Sequence, residues 1–201
     1  MKKIPADFYY EQDVLAATEA LMGKLIVTKF AEELTVSRIV ELEAYAGVHD
    51  KASHASGGRR TKRNEIMYGP GGYAYVYLCY GIHHLFNIVT NIEGIPHAIL
   101  VRSAEPVIGM DIMLDRSGKL KADNTITRGP GNFSRAMGIR TSHNGISLQS
   151  EQLHVADDGF SFPPSLIKRS ARIGVAYAAE DALLPYRYYV QGNPFVSARP
   201  K

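Results

Sequence analysis

Five β-rich stretches in this chain fall into two groups, 24–45 and 73–104, and within each group the links are too short to cross a sheet. KLIVTKF (24–30) and TVSRIVELEAY (35–45) flank the polar turn AEEL. Stretches at 73–79, 83–90 and 98–104 meet around Tyr80-Gly81 and NIEGIP. A parallel pair needs a crossover of about a dozen residues or more, whereas an antiparallel pair needs only a turn. The fold class this implies is α/β (mixed α+β), with a largely antiparallel sheet.

Local signals add the rest. Asp13 can cap a short helix through Leu21, with Val14, Leu15, Ala17, Leu21 and Met22 on its apolar side and Gly23 as its stop. Residues 47–64 are small, polar and basic, hence loop or short helix. Gly69-Pro70-Gly71-Gly72 is turn punctuation. Residues 106–114 are expected to form a short helix, and a second should begin near Pro130. More strands are expected at LHV, ARIGVAY and YRYYV.

With 201 residues, 45% of them hydrophobic, the chain can bury a core as one domain, 1–201. Cys79 is the only cysteine, so no intrachain disulfide can form, and its apolar strand suggests a core thiol. No apolar run nears the ~20 residues of a membrane span, and MKKIPADFYYEQ lacks a secretory h-region. The expected location is cytoplasmic, nucleoid-associated in a bacterium. Lys plus Arg number 23 against 20 Asp plus Glu, too mild an excess to imply a polyanionic partner. Distribution says more: Arg59-Arg60-Thr61-Lys62-Arg63 is either a solvated loop or an electrostatic footprint.

On strand 35–45, Val36, Val40, Leu42 and Ala44 share the parity expected to face the core. Ile39, Glu41, Glu43 and Tyr45 share the other. Glu43 and Tyr45 thus point together, into a cleft or into solvent. His54, among small residues, is surface filler or a place for a flat ligand to approach closely. Tyr73, Tyr75 and Tyr77 share a strand face, as half-buried packing or as a stacking platform for bases. Tyr80 sits at a turn, where a bulky side chain can wedge between base steps. Arg128 beside a helix starting near Pro130 is a phosphate anchor or an ordinary helix start. No zinc-hydrolase, deaminase, P-loop, dinucleotide or Gly-x-Ser-x-Gly pattern occurs, so no metal and no cofactor are expected.

Taken in order, ELEAYAGVHDKASHASGGRRTKRN (41–64), YVYLCYGIHHLFN (75–87), ILVRSAEP (99–106), GPGNFSRAMGI (129–139) and RIGVAYAAEDALLPYRYYVQGNPFVS (172–197) resemble the alkyladenine (3-methyladenine) DNA glycosylase family. The resemblance implies a curved sheet flanked by short helices, with a protruding β-hairpin. By it, Glu43 is the general base that activates water against C1′, and Arg102, at a strand end, helps to fix that water. Tyr45 stacks on one side of an extruded base, with His54 and Tyr77 opposite, and Asn87 crowds the amino group of guanine. Tyr80 fills the gap left in the duplex. Arg59 and Arg63 match basic positions of a DNA-facing loop, and Asn132 lies in a segment that approaches the backbone. Tyr73 and Tyr75 are left to sheet packing.

The implied partner is double-stranded DNA with damaged purines, and the implied enzyme a monomer without membrane contact. It would flip alkylated purines such as 3-methyladenine and 7-methylguanine, with hypoxanthine and ethenoadenine as further candidates. Hydrolysis of the N-glycosidic bond would leave an abasic site. The matched motifs hold no amine nucleophile, so no lyase step is expected. Two alternatives stand beside this: a non-catalytic nucleic-acid binder that stacks bases, and a nucleoside hydrolase. The first would need neither Glu43 nor Arg102. The second would not use Tyr80 or Arg59–Arg63. Residues after Gly81 and the 87–102 connection depart from the family pattern. No long N-terminal extension precedes the motifs.

Overall fold

A computed structural model describes residues 1–197. Its strands are β1 (Lys2–Lys3), β2 (Leu25–Phe30), β3 (Glu33–Tyr45), β4 (Ala74–Cys79), β5 (His83–Thr90), β6 (His97–Ile108), β7 (Leu153–Asp157), β8 (Ile167–Ser170) and β9 (Arg187–Val190). The α-helices are α1 (Val14–Leu21), α2 (Met110–Ser117) and α3 (Pro130–Ala136). The strands form one mixed-order sheet, β1-β7-β2-β3-β6-β5-β4, with β9 pairing β3 and β8. Every pairing among the described residues is antiparallel, and the short links require it for β2–β3, β4–β5 and β5–β6.

β3 is the hub. β6 runs along one edge of it, while β2 and then β9 share the other. Three register irregularities break the β3–β6 ladder. Each extra residue bends its strand and deepens the twist, so the sheet curls. One of them decides the site. Leu42 pairs Val101 and Glu41 pairs Ser103, which leaves Arg102 as the extra residue on β6. Bulges re-aim side chains, and here two successive residues, Arg102 and Ser103, both reach Glu41.

The expected two-faced β3 needs correction. Ile39, Val40, Leu42 and Ala44 all belong to the main core, and Glu41 and Glu43 are also fully buried. Val40 is itself an extra residue opposite β6, which resets the parity. α1 forms as expected: the Asp13 carboxylate accepts from the Leu15 N–H at 2.8 Å, and Val14, Ala17 and Leu21 are buried.

Two other expectations fail for identifiable reasons. The helix placed at 106–114 begins only at Met110, because β6 continues to Ile108. Pro106 and Val107 sit at a register shift there, where a missing N–H costs the ladder little. The strand placed over ARIGVAY is absent. The Ile173 N–H is given to Glu43, the Arg172 side chain is drawn into an ion pair with Asp50, and a 3₁₀ segment starts at Ala176.

Candidate active site

β4 and β5 form a hairpin whose three-residue tip is Tyr80-Gly81-Ile82, closed by the Ile82 N–H on the Cys79 carbonyl. Tyr80 has φ 52, a left-handed conformation unusual for a tyrosine. Its side chain is not folded back: Tyr80 is 88% exposed and Ile82 67%. At the base of this hairpin lies an open cleft of about 580 Å³. Tyr80, Arg63, Arg128, Asn132 and Cys79 are among its lining residues. Cys79 is therefore half-buried at a cleft rather than a core thiol, because β4 leaves the core before it ends.

A narrow slot adjoins the cleft, lined by Tyr45, His54, Tyr75, Tyr77, Asn87 and Tyr177 with Ala52, Met67 and Ala98. His54 and Tyr77 meet edge to face, with centroids 4.7 Å apart. Tyr75 and Tyr77 share a face, as their spacing predicts, 5.3 Å between centroids. Tyr75 does more than pack: its hydroxyl and His54 Nδ1 lie 2.8 Å apart. Asn87 is buried and donates to the Tyr75 carbonyl at 3.1 Å.

Burial, then the cations Arg63 and Arg59, push the His54 imidazole down to about 4 from 6.5. The folded protein thus binds this proton more weakly than the unfolded chain. The resulting stabilisation is whole above about pH 6.5 and is lost as pH falls toward about 4. Wild-type Tm should therefore drop more steeply across that window than the Tm of His54→Gln. Parallel curves would contradict a neutral ring. Burial also raises the phenols of Tyr45, Tyr75 and Tyr77, Tyr75 to about 12, so all three remain hydroxyls near neutral pH.

Glu43 lies behind the slot. Its Oε1 accepts from the Ile173 N–H at 2.7 Å, and its Oε2 accepts from the Tyr45 hydroxyl at 3.0 Å and from Arg102 Nη1 at 3.2 Å. These three donors also line the cleft. An ionised carboxylate offers about four acceptor sites, so one remains, on Oε1. Arg102 is shared with a second carboxylate, Glu41, through Nε at 2.9 Å. It lies in mid-strand, not at a strand end, since β6 runs on beyond it.

Glu41 is the residue that the sequence pattern undervalued. It accepts from Arg102, from Arg187 Nε at 2.7 Å, from the Ser103 hydroxyl at 2.9 Å, and from the Ser197 N–H and hydroxyl at 2.6 and 2.8 Å. Burial alone would raise its pKa, but Arg102 and Arg187 outweigh burial and lower it. Arg102 is held charged in the same way: burial opposes its charge, and Glu43 and Glu41 more than offset it. A second buried pair, Arg172 with Asp50, underlies the slot wall, and the Arg172 guanidinium lies 4.9 Å from the Tyr45 ring centroid.

The basic loop is pinned by Asn64. Its amide donates to the carbonyls of His54 and Arg59 at 2.9 and 2.8 Å, and its oxygen accepts from the Thr61 N–H. Arg63 then lies over the Tyr77 ring at 4.7 Å. Arg59 is exposed and outside the lining of the cleft. Across the cleft, Arg128 donates to the Val196 carbonyl at 3.0 Å, and Asn132 donates to the Arg128 carbonyl at 3.1 Å. Among the described residues, no three His, Cys, Asp or Glu side chains gather into a metal-binding group. No helix among them is long and apolar enough to cross a membrane.

Comparison with known proteins gives the class. Residues 8–194 match the family model of methylpurine-DNA glycosylase (MPG). A protein of Desulfitobacterium hafniense named "Putative 3-methyladenine DNA glycosylase" is 38% identical, covering 99% of this chain and 100% of its own. Proteins of the same name from Bacillus cytotoxicus and Bacillus cereus are 41% and 42% identical, covering 97% and 95% of this chain. The class is thus that of the DNA glycosylases, enzymes that act on damaged bases in DNA. Within it, the chain belongs to the methylpurine-DNA glycosylase family.

Proposed function

We propose that this chain releases 3-methyladenine, 7-methylguanine and related damaged purines from duplex DNA, as a monomer that makes an abasic site and does not cut the strand. The observation that carries this reading is the burial of Glu43 behind an aromatic slot, with Arg102, Tyr45 and Ile173 fixing its oxygens. A purine turned into the slot would stack between Tyr45 on one side and His54 and Tyr77 on the other. A base alkylated at N3 or N7 carries positive charge, which favours stacking on electron-rich rings. Asn87 would sit against the base edge and exclude the guanine amino group.

Departure of the base leaves an oxocarbenium-like sugar. Glu43 would stabilise that cation and hold water on the remaining site of Oε1, taking its proton as the oxygen attacks C1′. Arg102 orients the carboxylate through its Nη1. Hypoxanthine and ethenoadenine are neutral leaving groups and need protonation or hydrogen bonding, so their release should be slower. Arg59, Arg63, Arg128 and Asn132 would meet backbone phosphates.

Duplexes with each lesion, incubated with the enzyme and EDTA, should yield free base and an unbroken abasic strand. Retention of every base would overturn the proposal. Tyr80, exposed at the hairpin tip, is the side chain suited to fill the vacated stack. Tyr80→Ala should weaken binding to a lesion duplex by more than its binding to the same lesion in a single strand. Equal losses on both substrates would remove Tyr80 from that role.

A further inference from the structure

A second groove lies on the far side of the hairpin, and no step of the proposed reaction uses it. Its volume is about 530 Å³. His83 and Gly131 line both this groove and the lesion cleft, so the two adjoin at the hairpin. The contact is close. A Cβ on Gly131 would lie 2.6 Å from His83 Nδ1, so only glycine lets the imidazole seat against the first turn of α3.

The groove is built for an anion. Its lining includes Arg116, Arg135 and Arg140, the histidines His83, His84 and His143, and one carboxylate, Glu33. Glu33 is engaged by Arg116 at 2.8 Å, so that pair cancels. Arg135 and Arg140 are exposed and supply the excess positive charge. His84 Nδ1 accepts from the Thr141 N–H at 3.2 Å, and His143 Nδ1 accepts from the Arg140 N–H at 3.0 Å. With Nδ1 accepting, each neutral ring carries its proton on Nε2 and is a donor there. The His143 ring cannot turn freely, since it stacks flat on Phe30, centroids 4.1 Å apart at 4°. Burial, then Arg140 and His84, lowers its pKa.

We propose that this groove is a second phosphate-binding track, which takes the sugar-phosphate backbone of the duplex beyond the hairpin tip. Arg135 and Arg140 supply the charge, and the His84 and His143 imidazoles supply neutral donors. The occupant follows from charge and position. The chain's family acts on DNA, the groove adjoins the lesion cleft, and Tyr80 and Ile82 project from the hairpin tip, one lining each cavity. This rests on the lesion-cleft reading above for the orientation of the duplex, and on nothing in the catalytic step.

Affinity for an undamaged duplex, measured by fluorescence anisotropy between about 50 and 200 mM salt, tests it. Each phosphate contact contributes about 0.9 to the slope of log K against log salt. Arg135→Gln with Arg140→Gln should make the slope shallower by about two. Base release from a saturated lesion duplex should keep the wild-type single-turnover rate, because neither residue lines the lesion cleft. Lys2→Gln, on the sheet edge opposite the hairpin, should leave the slope unchanged. A double variant as steep as the wild type overturns the track. So does a single-turnover rate that falls with binding intact. A flat slope in the wild type would instead count against DNA at the lesion cleft, and the two failures are thereby told apart.

Discussion

Glu43→Gln should lower base release by about 10²–10⁴-fold, the range a positioned general base contributes, while leaving lesion-duplex affinity within a few-fold of the wild type. The amide keeps the shape of the side chain and can still accept from the Ile173 N–H. It can neither stabilise a cationic sugar by charge nor take a proton from water. The slot and the hairpin are built by other residues, so binding should survive. Parallel measurement of lesion binding and single-turnover release separates the two. Release at the wild-type rate would remove Glu43 from the chemistry. Loss of binding in step with loss of release would make it a binding group instead.

Glu41→Ala should cost more stability than any other substitution near the site. It would leave Arg102 and Arg187 facing a cavity where their shared carboxylate stood. Breaking a buried ion pair by removing one partner costs about 3–5 kcal/mol, and the Ser103 and Ser197 hydrogen bonds are lost as well. Urea unfolding at neutral pH gives the number directly. A loss under about 1 kcal/mol would mean that solvent readily replaces the carboxylate. Where the variant still folds, release should also fall, because Arg102 would turn from Glu43 toward water. Glu41→Gln, which keeps the shape, should be the milder of the two, and the same ordering should hold for turnover.

What could be read from the sequence was local. Asp13 before an apolar stretch marked the cap of α1, and Tyr80-Gly81 between alternating strands marked a hairpin tip. The strand spacing put Tyr75 and Tyr77 on one face. What escaped was set by residues far apart in the chain. Glu41 meets Arg187 across 146 positions and Arg172 meets Asp50 across 122, distances that no periodicity spans. Parity on β3 failed because a bulge at Val40 inserts a residue and flips the side chains beyond it, and the bulge at Arg102 does the same to β6. ARIGVAY has a strand's composition, but its N–H and its arginine are spent on acids of other segments. Tyr75 looked like packing because its partner, His54, lies in a loop.

The most direct measurement is a crystal structure with duplex DNA carrying a cationic pyrrolidine in place of the damaged nucleotide's sugar, a mimic of the charged transition state. The ring nitrogen should lie about 3 Å from Glu43 Oε1 or from a water held there, with Tyr80 in the gap of the duplex. A sugar mimic left stacked in the helix, or seated away from Glu43 with Tyr80 in solvent, would contradict the account.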